Sequence, residues 1–194
     1  MFWHEDVWQV GRVATENQIA AHFFQAAANP VAAARQAIRK QLIRKQVTIS
    51  WAMLHPVLDL KEQGPVLEWK PGESTPDFGR IAWQLKSRWK LSPVRTKLVF
   101  PSDKGRPFRR PRATELLHDT HVTELFFALQ RPQNYIAEDS LSRTIWPFSF
   151  RPDALLRGTK SLLTCLEFGG TYQKPKLLQM HQNYRRFQIP YQIY

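Results

Sequence analysis

Residues 154–170, ALLRGTKSLLTCLEFGG, set two apolar runs on either side of a basic turn, Arg157-Gly158-Thr159-Lys160. Runs this short, bounded by Gly and Pro, read as the two strands of a hairpin. The hairpin carries Asp153, just before its first strand, and Glu167, at the end of its second, to the same end. The flanking segments extend the pattern. TELLHDTHVTELFFALQ reads as a helix, apolar at Leu117, Val122, Leu125, Phe126 and Leu129. NYIAEDSL reads as a strand entering a turn, a helix is expected from about Lys176 to Phe187, and PYQIY closes as a strand. The order helix, strand, strand, strand, helix, strand describes a mixed α/β core.

The first third has different punctuation. Thr15 and Gln18 have the spacing of a capping box, and Ile19, His22 and Phe23 recur at helical offsets. Asn29 followed by Pro30 is a helix start. Val31, Ala34, Ile38 and Leu42 form the apolar stripe of that helix, while Arg35, Arg39, Lys40, Arg44 and Lys45 fall largely on the other side. VTISWAML then reads as a strand. With residues 5–28 read as helical, two short helices, a turn, a basic third helix and a strand suggest a winged helix-turn-helix, whose last helix enters the DNA major groove. The alternative is a small helical module whose basic face is only solvated. DFGRIAWQLKSRW reads as a further helix, capped by Thr75 or Asp77 with Ile81, Leu85 and Trp89 on one face, and TKLVF as a strand.

The charge supports a polyanion as partner. Lys and Arg number 28 against 16 Asp and Glu, a net charge of +12, and the cations are clustered. Lys104, Arg106, Arg109, Arg110 and Arg112 lie within residues 101–112, where three prolines and a glycine keep the chain irregular. That segment reads as a basic linker whose arginines assist in holding phosphates. No apolar run approaches the roughly 18 residues of a membrane span. The single cysteine, Cys165, sits in an apolar strand pattern and reads as a core residue. It allows no internal disulfide, and the start shows neither a basic leader nor an apolar signal core, so a cytoplasmic location is expected.

The text RPDALL…CLEFGG, within its element order, resembles the restriction-endonuclease-like PD-(D/E)XK core. The resemblance implies that Asp153 and Glu167 coordinate Mg²⁺, with Glu124 on the preceding helix as an additional acid. It also implies a lysine two residues after the glutamate, but Gly169 stands there. Lys174 or Lys176 would have to reach in from the following element. Cutting is therefore expected to be absent or weak. The alternative for the acids is structural: an Asp at a turn and a Glu paired with an arginine. Tyr172, as a relaxase-type nucleophile, would need a histidine cluster, and His118, His121 and His181 have no ligand spacing.

Most of the chain is also similar to the plasmid replication-relaxation family. The similarity runs through the N-terminal pattern, HDTHVTELFFAL, the Trp146 segment, RPDALL and LEFGGTYQKPKLLQMHQNYRRF to PYQIY. It implies a winged-helix domain at residues 1–100, a linker at 101–112 and a nuclease-like domain at 113–194. It further implies a bacterial protein of plasmid or mobile-element replication or mobilisation that binds double-stranded DNA. Two alternatives remain open: a Mg²⁺-dependent nuclease, and a non-catalytic assembly factor that docks a protein. A homodimer or a replication or mobilisation protein is the partner expected beyond DNA.

Overall fold

The computed structural model describes residues 7–8, 11–102, 110–130, 133–158 and 163–194. Lys104, Arg106, Arg109, Thr159 and Lys160 lie outside the described residues. In chain order the elements are β1 (Ala14–Thr15), α1 (Glu16–Phe23), α2 (Pro30–Ile43), β2 (Val47–Leu54), α3 (Leu60–Gln63) and β3 (Leu67–Trp69). There follow α4 (Phe78–Ser87), β4 (Val94–Pro101), α5 (Leu116–Ala128) and β5 (Tyr135–Ala137). Then come a 3₁₀ turn (Glu138–Ser140), β6 (Ala154–Arg157), β7 (Leu163–Glu167), α6 (Lys174–Arg186) and β8 (Tyr191–Ile193). The class is mixed α/β, as the patterning indicated.

The chain forms two compact units, and neither is continuous in sequence. The first comprises Met1–Val57 and Leu91–Phe127, the second Leu58–Lys90 and Ala128–Tyr194. The linear division at residues 100 and 113 differs from this in two respects: residues 58–90 cluster with the C-terminal third, and residues 113–127, which carry most of α5, cluster with the first unit. The physical cause is pairing. Leu67, Glu68 and Trp69 of β3 pair with Ile193, Gln192 and Tyr191 of β8, and α4 packs against α6.

In the first unit β1, β4 and β2 form an antiparallel sheet in that order. The Thr15 hydroxyl accepts from the Gln18 amide at 3.0 Å, and the Gln18 side chain accepts from the Thr15 amide at 2.9 Å. This reciprocal pair starts α1. Asn29 Oδ1 accepts from the Ala32 amide at 3.0 Å and starts α2 with Pro30 in its first turn. The helix buries Ala34, Ile38 and Gln41. Val31 and Leu42, expected in that stripe, are only half-buried, because the buried arc is rotated toward Gln41. The helix stops where Lys45 turns left-handed at φ 57°. Val13, Leu54, Leu98 and Phe100 form a core packed by Leu116 and Leu117 of α5.

In the second unit the strand order is β3-β8-β7-β6-β5. β7 and β8 are parallel and joined through α6, and the other pairs are antiparallel. α6 begins two residues earlier than its apolar pattern indicated, with Pro175 in its first turn. α4 is capped by Asp77, whose Oδ1 accepts from the Gly79 and Arg80 amides at 2.9 and 3.1 Å. Trp89 lies beyond the end of α4, and its indole donates to the Gly170 carbonyl at 3.1 Å. The register sets Ile136, Leu155, Cys165, Tyr191 and Trp69 in one row across the five strands. That row meets Phe78, Ile81 and Leu85 of α4 and Leu177, Met180 and Tyr184 of α6 in one core. Cys165 is a fully buried free thiol within it, and burial pushes its pKa up, so it is an inert packing residue.

Candidate functional site

Two groups of side chains carry chemistry, one in each unit. The first is the exposed side of α2. Buried Ala34, Ile38 and Gln41 fix the inward face, which leaves Arg35, Arg39, Lys40 and Ile43 in solvent, followed by Arg44 and Lys45. Arg39, Lys40, Arg44 and Lys45 have no ion-pair partner among the described residues. Arg35 differs from the others. Its Nε donates to Glu16 Oε1 at 2.8 Å, and Lys97 Nζ donates to Glu16 Oε2 at 2.6 Å. Burial raises the Glu16 pKa, but bonds from Lys97 and Arg35 outweigh it, and the net direction is down. Arg35 therefore ties α2 to the start of α1, in addition to the phosphate-holding role expected of it. Arg110 is exposed and lies 4.5 Å over the Phe100 ring.

The second group sits at one end of the five-stranded sheet. One step beyond the Ala154–Leu166 pair, the ladder sets Asp153 opposite Glu167. One step beyond the Ala137–Ala154 pair, it sets Glu138 beside Asp153, and the Glu138 amide donates to the Asp153 carbonyl at 3.0 Å. Residues opposite each other on neighbouring strands share a face. Glu138, Asp153 and Glu167 therefore form one acidic row at the ends of β5, β6 and β7. The hairpin expectation for Asp153 and Glu167 is met by this register. Glu138 was missed by sequence reading; its signal is its position two residues after Ile136, on the same face.

The acids are built into the fold. Asp153 Oδ2 accepts from the Phe168 amide at 2.7 Å. Glu167 Oε1 accepts from the Tyr184 hydroxyl of α6. These bonds turn the two carboxylates toward separate protein donors. Among the described residues no three His, Cys, Asp or Glu side chains form a group able to hold a metal ion. Glu124, expected as an additional acid, belongs to the first unit. Its carboxylate accepts from Gln18 Nε2 at 2.9 Å and lies 3.1 Å from His22 Nε2. The three histidines weighed as ligands are likewise dispersed: His118 meets Asp119, His121 the Leu117 carbonyl and His181 the Tyr191 hydroxyl.

Gly169 has a steric reason. A Cβ there would stand 2.7 Å from Ile193 Cγ2 and 2.8 Å from Leu85 Cδ1. The position that the endonuclease pattern gives to lysine cannot hold a side chain unless the buried Leu85 and Ile193 side chains give way. The chain then turns: Gly170 is left-handed at φ 49°, and the Tyr172 amide donates to the Gly169 carbonyl at 2.7 Å. This returns Tyr172 to the acids. Burial raises its pKa, and the charges of Asp153, Glu167 and Glu138 add to that. A phenol held protonated in this way is poorly suited to nucleophilic attack. Lys176 Nζ lies 5.6 Å from the Tyr172 ring centroid. Lys174 is exposed at the first position of α6.

No protein-family model matches this chain, and no curated protein and no solved structure matches it.

Proposed function

We propose that this protein binds double-stranded DNA through α2 and leaves the DNA uncut. The setting suggested by its sequence resemblance is the replication or mobilisation of a bacterial plasmid or other mobile element. The observation that carries the reading is the solvent face of α2: Arg39, Lys40, Arg44 and Lys45 stand there without a carboxylate partner among the described residues. Support comes from element order. From β1 to β4 the first unit runs strand, helix, helix, strand, strand, with the first of these strands pairing the last, an order similar to that of a winged helix, and α5 follows it. In that arrangement α2 is the groove-entering helix. Residues 58–90 then occupy the connection between the two long strands, and they contribute β3 and α4 to the second unit.

A second reading is favoured by the acidic row. The succession β5-β6-β7-α6-β8 in the second unit, with β7 and β8 parallel, is similar to the strand-strand-strand-helix-strand part of a restriction-endonuclease-like core, and by that likeness Asp153 and Glu167 correspond to its acids. Their hard oxygens suit Mg²⁺, which commonly takes only one or two protein carboxylates. A carboxylate accepts at about four lone-pair sites, so a protein donor and a metal can share one group. Asp153 and Glu167 would hold the ion, which when bound supplies Lewis-acid stabilisation of a phosphate oxygen and a more acidic water. What weighs against cutting is the closed position at Gly169, which removes the in-strand cation.

The binding reading is tested by titrating the intact protein against a labelled duplex at rising salt. Affinity should fall linearly on logarithmic axes, with a slope of about −0.9 for each phosphate neutralised. A protein that does not bind duplex at low salt, or binds with no salt dependence, would refute it.

A further inference from the structure

One surface of the first unit is left unexplained by duplex binding through α2. Ile49, Trp51 and Met53 alternate along β2 and share a face. They are 39%, 50% and 63% exposed. Ile43, at the end of α2, is 74% exposed. Single exposed apolar residues need no explanation, but a contiguous exposed row marks an interaction surface.

The row is not merely apolar. Across the ladder Trp51 faces Lys97 and Met53 faces Arg95. The Arg95 guanidinium lies 4.7 Å from the Trp51 ring centroid, and Lys97 Nζ lies 5.5 Å from it. Lys97 is also bonded to Glu16, so its charge is largely answered. Arg95 is exposed and has no carboxylate partner among the described residues. The short turn from α2 into β2 keeps Arg44 and Lys45 next to the row in the chain.

We propose that Trp51 is a stacking platform for an unpaired base of single-stranded DNA, with Arg95 contacting the adjoining phosphate. This goes beyond duplex recognition and rests on that reading only in taking DNA as the ligand. Charge decides the occupant. A second copy of this chain would set cation against cation around an aromatic centre. A nucleic acid offers a flat ring for Trp51 and an anion for Arg95 in one ligand. The base must be unpaired, because within a duplex both faces of a base are covered by its neighbours, whereas a splayed base can stack on an aromatic side chain.

The experiment compares the intact protein with its Trp51→Thr, Trp51→Phe and Arg95→Ala variants. Each is titrated with labelled oligo(dT) and, separately, with labelled duplex. Threonine keeps strand propensity at an exposed position and removes the ring. Trp51→Thr is expected to weaken oligo(dT) binding about tenfold, the loss of one stacked base, and to leave duplex affinity unchanged. Trp51→Phe should recover most of the loss. Arg95→Ala should reduce the single-strand salt slope by about 0.7, and it reports on the site even if the tryptophan variants fold poorly. Three results would overturn the proposal: an intact protein that does not bind oligo(dT), a Trp51→Thr variant that binds it undiminished, or a self-association lost in Trp51→Thr. An intact protein that binds oligo(dT) but not duplex would count against the α2 reading and leave this one standing.

Discussion

Replacing Arg39, Lys40 and Arg44 together with alanine is expected to abolish tight duplex binding while the protein remains folded. All three side chains are exposed and make no ion pair among the described residues, so their removal leaves no buried charge behind. Alanine is the best helix former and keeps α2 intact. If each cation neutralises one phosphate, the salt slope becomes shallower by about 0.9 per residue, roughly 2.7 in all, and affinity falls alike for every sequence. Arg35 is left out of this set because it anchors Glu16. Arg35→Ala should lower stability by removing one of two donors from a buried carboxylate, an effect that would obscure any change in binding. Duplex affinity and slope unchanged in the folded triple variant would remove α2 from the interface.

Gly169→Lys is expected to cost stability and to restore no activity. The added Cβ would stand within 3 Å of both Ile193 and Leu85, and both are fully buried in the core of the second unit. Overpacking of this kind costs roughly 1–3 kcal/mol. An ammonium carried into the same space, with Leu85 and Ile193 as neighbours, adds a desolvation penalty. At about 2–4 °C per kcal/mol for a chain of this size, Gly169→Ala should lower the melting temperature visibly and Gly169→Lys further still. Thr171→Lys is the control, because it sets the same charge two residues on at an exposed position. Wild-type stability in Gly169→Lys would mean that the Leu85 and Ile193 side chains give way at little cost and that the position is not closed.

Local chemistry was legible in the sequence wherever its cause is local. The Thr15–Gln18 box, the Asn29-Pro30 start and the antiparallel pairing of Ala154–Arg157 with Leu163–Glu167 all formed as read, since each depends on residues close in the chain. Arg157, read as part of the turn, ends β6 instead. The hairpin alone implied that Asp153 and Glu167 meet. Cys165 was legible as core because it lies within the apolar strand pattern of Leu162, Leu163 and Leu166. What was not legible depends on partners remote in the chain. LEW at residues 67–69 is too short to announce a strand, and it becomes one only because Tyr191–Ile193 offers an edge. For the same reason nothing in residues 58–90 declared that they pack with the C-terminal third. The role of Gly169 required knowing that Leu85 and Ile193 converge on it. Arg35 carried the same helical-face signal as Arg39, and only tertiary contact with Glu16 separates them. Trp51 read as an ordinary strand aromatic until its exposure and its two cations were known.

The central claim, duplex binding without cutting, is tested most directly by incubating the intact protein with supercoiled plasmid in Mg²⁺ and, separately, in Mn²⁺. The same samples are read twice, once for retarded migration and once, after the protein is stripped away, for nicked or linear products. The account predicts retardation at low salt that is lost as salt rises, with the plasmid recovered supercoiled. Nicked or linear plasmid that depends on the metal and disappears in Asp153→Ala would contradict it and make the acidic row a working metal site.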